Sequence, residues 1–298
     1  MIIDKILDKS IYFSFDQTGH ERHSKSFHAI DYNTIKGKTF VVTGGTSGIG
    51  YSISKTLLAS DASLIFTGRT LKEESLKNSF KKLDLTNHQE TLDFAKELPV
   101  LHGIVLNAGG MPPVYEEFNG YEAQFSSQVL GHYILVRSLI DQKKLGSNSN
   151  VVWMSSGGMY MVKYNEDLIT QAKEKYDKVN FYANAKRAQI ILNDFLHENY
   201  HHLGINFSVM HPGWVDTPGV RDAIPGFFNF TKNRLRTPEQ GADTAIWLLS
   251  QDNVSSGEFW FDRMPQKKVV FPWTNNSPDQ RNKLYERCEQ YYQEICQS

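Results

Sequence analysis

The stretch Thr43-Gly44-Gly45-Thr46-Ser47-Gly48-Ile49-Gly50 decides how the chain is to be read. It follows Phe40-Val41-Val42, a β-branched and aromatic run with the composition of a buried strand. It precedes apolar residues at 49, 53, 57 and 58, which share one helix face. A strand, a glycine turn and a helix start are the parts of a dinucleotide pyrophosphate site. Glycine lets the backbone turn sharply and approach the phosphates. The helix N-terminus offers them unpaired N–H groups and a partial positive charge. The spacing is Gly-x3-Gly-x-Gly rather than Gly-x-Gly-x2-Gly. Taken alone, such a turn also suits a strand-to-helix connection that holds no ligand.

Composition narrows the rest. The chain has 298 residues, 40% hydrophobic and 22% charged, which is a globular composition with length for one large or two small domains. Its net charge of -1 gives no overall field for nucleic acid or anionic membrane. The two cysteines, Cys288 and Cys296, form neither a disulfide framework nor a CxxC metal spacing. No apolar run reaches membrane-spanning length, and MIIDKILDKSIYFSF carries acids and no cleavage-type site, so a cytoplasmic protein is expected. Ile3, Ile6, Leu7 and Ile11 fall on one helical face, which predicts a helix packed on the body. Peripheral membrane contact by that helix is the lesser alternative. His20, His23 and His28 lack acids or cysteines at ligand spacing, so no metal site is expected.

The chain alternates strands and helices from there. Strands are predicted at 63–67, 101–106, 151–154, 205–210 and 258–261, besides the first. Helices are predicted at about 71–80, 87–97, 118–144, 180–200, 238–250 and 277–297, with Thr86 as the N-cap of the second. Residues 157–179 and 214–235 show no clear period, and the latter suits a lid or substrate wall. Thr237-Pro238-Glu239-Gln240 reads as an N-cap, a first-turn proline and a capping box. The pattern predicts a Rossmann-type, doubly wound α/β fold: a mainly parallel seven-stranded sheet with helices on both faces. Its parts are an N-terminal extension at 1–35, a dinucleotide-binding and catalytic domain at 36–262 and a C-terminal extension at 263–298.

Candidate site residues fall at strand carboxyl ends, where such sheets bind ligands. Arg69 follows the second strand, and no Asp or Glu stands there. An arginine suits a 2′-phosphate, so NADP(H) is favoured, with NAD(H) still possible. Asn107-Ala108-Gly109 ends another strand, and Ser155-Ser156 a third. Tyr182 and Lys186 share one helix face. A phenol near pKa 10 is a poor acid–base catalyst until a nearby ammonium stabilises its phenolate. A neighbouring serine can hold a carbonyl or alcohol oxygen. A second Tyr-x3-Lys pair, Tyr51/Lys55, has no serine partner and reads as ordinary helix.

Six motifs in this order resemble the short-chain dehydrogenase/reductase family: TGGTSGIG, DLT at 84–86, LNAG at 106–109, SS at 155–156, YANAK at 182–186 and HPGWVDTP at 211–218. The likeness covers about residues 36–262, and SSGGM, KRAQIIL and QGAD narrow it to one subgroup. The resemblance implies that Ser156, Tyr182 and Lys186 are catalytic. It implies that Gly44, Thr46, Ser47, Gly48, Ile49 and Gly50 hold the pyrophosphate and adenosine side, with Arg69 at the 2′-phosphate and Asp84 and Leu85 beside adenine. Asn107, Ala108 and Gly109 would line the cofactor path, and Pro212, Gly213 and Thr217 would meet the nicotinamide end. Tyr182 and Lys186 would touch the cofactor as well.

Two departures stand out: Gln128 replaces the asparagine usual before Leu-Gly, and the segment from Arg69 to Asp84 is short. The expected function is carbonyl–alcohol interconversion on a small, apolar substrate, given the aromatics Trp214, Phe227, Phe228 and Phe230. The rival is a dinucleotide-binding sensor or scaffold without turnover. A homodimer through the helices at 118–144 and 180–200 is possible unless the terminal extensions cover them.

Overall fold

Alternation along β1 (Thr39–Val42) sets the layers: Val41 faces one core, Phe40 and Val42 the other. The same alternation continues in β4 (Gly103–Leu106), where Ile104 and Leu106 oppose Val105, and in β7 (Ser149–Met154), where Val151 and Trp153 oppose Val152 and Met154. Strands apolar on both faces need helices on both, and each core has them. The helices Gly48–Ala59 and Pro238–Ser250 cover one face through Ile53, Leu57, Ala245 and Leu249. The helices His88–Glu97, His132–Asp141 and Lys178–Tyr200 cover the other through Leu92, Val136 and Leu192. The computed structural model describes residues 7, 8, 10–170 and 173–297.

The remaining strands are β2 (Ser63–Gly68), β3 (Phe80–Lys82), the small hairpin β5 (Glu117–Phe118) and β6 (Tyr121–Glu122), β8 (Ile205–His211), β9 (Glu258–Phe261) and β10 (Met264–Gln266). The main sheet runs β10-β9-β8-β7-β4-β1-β2-β3. Seven strands are parallel, as expected, and β10 adds an antiparallel edge paired to β9. The order reverses between β1 and β4. Connections leave that point in opposite directions, which opens a crevice at the carboxyl ends.

Several local expectations change. In place of a helix at 71–80 there is a 3₁₀ segment, Glu74–Ser79, leading into β3. The short link between Arg69 and Asp84 has room for only that. Asn87, not Thr86, caps the helix His88–Glu97 by accepting from the Glu90 N–H, while Thr86 is turned back onto Asp84. The helix expected at 118–144 begins only after the β5–β6 hairpin. It contains a π-helical turn, Ser126–Gly131, before His132–Asp141. Residues 214–235 contain two short helices, Pro218–Ala223 and Pro225–Thr231. The capping box forms as read: Thr237 accepts from Gln240 N–H and the Gln240 side chain accepts from Thr237 N–H.

Both extensions lie on the body. The C-terminal helix Pro278–Gln297 buries Leu284, Cys288 and Tyr292. Its Glu289 accepts from the Tyr133 hydroxyl at 2.6 Å and from Arg137 at 3.0 Å, and its Arg281 donates to Asp194, so this helix packs on both helices that a possible homodimer would have used. At the other end, Ile3 and Ile6 lie outside the described residues. A helical turn, Ile11–Ser14, leads to the helix Gln17–His23, capped by fully buried Asp16. Arg236, also fully buried, holds this segment. Its guanidinium donates to the Ser14, Phe15 and Asp16 carbonyls and to both oxygens of Asp262. A buried arginine is tolerable because these five bonds replace its water.

His23 extends that pairing: Nδ1 lies 2.6 Å from Asp262 and Nε2 3.1 Å from Asp8. Burial disfavours its charged form, but the two carboxylates outweigh that and raise its pKa. Burial also works against the Asp262 carboxylate, yet hydrogen bonds from His23 and Arg236 hold its pKa down to about 2. A raised histidine stabilises the fold fully below its unfolded pKa of about 6.5, and that stabilisation is lost as pH rises through the folded value. His23→Gln should therefore narrow its stability deficit against the parent protein between about pH 6 and about pH 8. Denaturant melts at both pH values read this, and a deficit independent of pH would contradict it.

Candidate active site

At the reversal point the chain leaves β1 through Thr43 into the glycine turn. Gly44 and Gly48 have φ of 67° and 54°, left-handed values that favour glycine. Gly50 is glycine for space: a Cβ there would lie 2.3 Å from the Gly44 carbonyl oxygen and 2.4 Å from Asn107 Nδ2. Ser47 stands at the N-cap of the helix Gly48–Ala59 without capping it through its side chain. The first-turn N–H groups therefore face the crevice without a side-chain acceptor. Thr46 lies over Gly68, and the Thr217 methyl approaches Gly48, which brings the 211–218 loop onto the turn. A glycine cradle and an uncapped helix start fit a dinucleotide pyrophosphate.

The neighbouring turn is bound to this one. Asn107 Nδ2 donates to the Thr43 and Gly44 carbonyls at 3.0 and 3.1 Å. Thr43 Oγ1 accepts the Asn107 and Ala108 amides at 2.9 and 3.0 Å. With both lone pairs used, its proton goes to His132 Nε2 at 2.9 Å, and His132 Nδ1–H donates to the Gln128 carbonyl at 3.0 Å. Burial first, then the nearby Lys186 charge, lowers the His132 pKa to about 3 and keeps the ring neutral. The sequence reading assigned His132 no role. A histidine after Leu-Gly carries no local signal, because its partners come from two other elements.

Arg69 is exposed after β2 and forms no ion pair with another described residue. Glu73 is engaged elsewhere, accepting from the Tyr51 hydroxyl at 2.5 Å and from Ser75 at 2.7 Å. That contact and the Lys55 ammonium over the Tyr51 ring leave the second Tyr/Lys pair on the surface without a serine. Asp84 accepts from the Thr86 amide and hydroxyl, and Leu85 is buried under Gly131.

Ser156, Tyr182 and Lys186 come together at the end of β7. Asp177 caps the helix Lys178–Tyr200. One turn in from its start, Tyr182 is half-buried, and its phenol lies beside the Ser156 hydroxyl, which favours the phenolate. Ser155 points the other way and donates to the Lys186 carbonyl at 3.1 Å. Lys186 is 2% exposed, with Nζ 2.8 Å from the Met154 carbonyl and 5.2 Å from the Tyr182 ring centroid. No carboxylate among the described residues pairs with it, so burial lowers its pKa to about 7. Burial pushes the Tyr182 phenol up to about 12, against the smaller lowering effect of Ser156, so the phenol holds its proton at neutral pH.

Gln128 sits in the π-helical turn. Its Nε2 donates to the Gly110 carbonyl at 2.7 Å, and its own carbonyl accepts from Gln189 and His132. Pro212 and Gly213 follow β8. Gly213, at φ of 81°, passes so close to Arg236 that a Cβ would lie 2.3 Å from its Nε. No group of metal ligands occurs among the described residues, and no described helix is long and apolar enough to cross a membrane.

Comparison with known proteins agrees with this geometry. The short chain dehydrogenase family model matches residues 38–225. Human dehydrogenase/reductase SDR family member 12 is 33% identical over 300 residues, covering 94% of each chain. Polyprenol dehydrogenase of Danio rerio is 33% identical over 264 residues, covering 78% of this chain and 79% of the relative. Among solved structures, the Pseudomonas aeruginosa RhlG/NADP complex superposes with a TM-score of 0.60 at 20% identity, over 76% of this chain and 95% of that one.

The cradle itself can be tested. Gly50→Ala forces a methyl against the Gly44 carbonyl, so the turn must open. Dinucleotide binding, titrated by fluorescence, should weaken at least about tenfold. Unchanged affinity would place the dinucleotide somewhere else.

Proposed function

We propose that this chain, which belongs to the short-chain dehydrogenase/reductase family and is thus an oxidoreductase acting on CH–OH and C=O groups, interconverts an apolar carbonyl compound and its alcohol with NADP(H) in preference to NAD(H). The observation that carries the proposal is the meeting of the Tyr182 phenol, the Ser156 hydroxyl and buried Lys186 at the end of β7. Members of the family bind NAD(P). The residues that would hold it here are Gly44, Thr46, Ser47, Gly48, Ile49 and Gly50 at the pyrophosphate, and Asp84, Leu85, Asn107, Ala108 and Gly109 along its path. Pro212, Gly213 and Thr217 would stand at the nicotinamide end. When bound, the cofactor supplies or accepts the hydride.

The chain's own groups handle the proton. The Ser156 hydroxyl donates to the substrate oxygen and fixes its position. Tyr182, protonated at neutral pH, gives its proton to that oxygen as the carbonyl is reduced, and takes it back in the reverse direction. The phenolate left behind is stabilised by the adjacent Lys186 ammonium, whose own hold on its proton is weakened by burial. Polyprenol dehydrogenase among the relatives supports an apolar substrate.

The preference for NADP(H) rests on Arg69. A guanidinium with no acid competing for it, after a strand that ends in Gly68, suits a 2′-phosphate. Arg69→Ala should raise the KM for NADPH about tenfold or more and leave that for NADH nearly unchanged; equal effects on the two would remove the argument for preference. For the chemistry, NADPH oxidation is followed with a panel of aldehydes and ketones. Tyr182→Phe should lower kcat by about 10²- to 10⁴-fold while NADPH binding persists. Turnover unaffected by Tyr182→Phe would sink the mechanism, and NADPH binding without turnover of any compound would favour a sensor.

A further inference from the structure

The segment before the dinucleotide fold reaches the catalytic end of the sheet. Phe15 packs its ring 4.3 Å from His211 and 5.1 Å from Phe261, residues at the carboxyl ends of β8 and β9. On its other side it presses on Gly157, where a Cβ would lie 2.7 Å from the Phe15 ring. Gly157 is the residue after Ser156. The backbone is fixed as firmly as the ring: the Phe15 carbonyl accepts the Trp214 amide at 2.7 Å, and Arg236 holds the Ser14, Phe15 and Asp16 carbonyls.

From Phe15 an aromatic surface runs outward. Phe15 and Trp214 are 6.3 Å apart, Trp214 and Tyr12 5.8 Å, and Tyr12 and Phe230 6.0 Å between ring centroids. Phe227 closes on Trp214 at 5.2 Å. Exposure rises along this path. Phe15 is 8% exposed, Tyr12 and Trp214 are half-buried, and Phe230 is 74% exposed. A surface with a polar reaction centre at its inner end and one exposed aromatic ring, Phe230, at its outer end matches a ligand with a polar head and a hydrocarbon tail.

We infer that Tyr12, held in place by buried Phe15, is part of the substrate site: with Trp214, Phe227 and Phe230 it forms the wall that receives the hydrocarbon tail, and so sets the preferred chain length. This rests on the reading of the chain as a carbonyl–alcohol oxidoreductase. The oxygen is held at Ser156 and Tyr182 while the tail lies along the rings toward Phe230. Binding energy gained from the tail is remote from the reacting atoms, so its loss shows as lost discrimination between long and short substrates.

The test uses the full chain and its Tyr12→Ala, Tyr12→Phe and Phe230→Ala variants with propanal, pentanal and octanal. The ratio of kcat/KM for octanal to that for propanal should fall about tenfold in Tyr12→Ala and in Phe230→Ala, and Tyr12→Phe should restore it. Phe230 is exposed, so its replacement leaves the fold intact. A ratio unchanged in both alanine variants overturns the inference. If the parent protein reduces none of the three, calorimetric titration with octanol decides about the wall, while the wider panel of aldehydes and ketones decides about the functional reading. Octanol binding weakened about tenfold in Tyr12→Ala upholds it. Equal binding, or none to the parent protein, overturns it.

Discussion

One hydroxyl joins the parts that a dinucleotide site needs. Thr43 Oγ1 accepts two amides of the turn after β4 and gives its proton to His132 in the helix after the π-helical turn. Asn107 returns two bonds to the Thr43 and Gly44 carbonyls. The glycine turn, the second turn and that helix are therefore one unit, although nearly ninety residues separate Thr43 from His132. Its shape depends on every donor having one acceptor. A neutral His132 with a single tautomer is what makes this possible, and burial enforces it.

A second buried group governs the other side of the crevice. Arg236 joins the capping box of the helix Pro238–Ser250 to the turn between β9 and β10 through Asp262, and to the segment ahead of the sheet through three carbonyls. A charge this deep is stable only while all its partners stay. Position follows from that. Gly213 has no room for a side chain beside the guanidinium, and Phe15 is held against Gly157, next to Ser156. Tyr182 and Lys186 face a similar constraint of low polarity. Burial pulls Lys186 down toward neutral pH and pushes Tyr182 up, so it favours the neutral form of each and keeps the proton on the phenol.

What was legible in the sequence was local. The glycine spacing, the β-branched strands and Thr237-Pro238-Glu239-Gln240 each carry their geometry within a few residues. Tyr182 and Lys186 were legible because a helix places residues four apart on one face. β3 was not, since three residues with two lysines make a strand only because β2 offers a parallel edge. The β5–β6 hairpin and the π-helical turn were hidden for a related reason. An apolar helical period continues through Phe125 and Val129 whether or not the backbone makes one wider turn.

The sequence by itself determined the class of the protein: a parallel sheet, a glycine turn on its first strand, and a tyrosine–lysine helix following a serine-bearing strand. These are short-range patterns, written wherever backbone preference and side-chain period agree. Only the tertiary structure decided that a histidine completes the glycine turn and that residues ahead of the fold stand beside Ser156. Each of those is a contact between elements far apart in the chain. Such contacts depend on burial and on the pairing of every polar group within it, which no single stretch encodes.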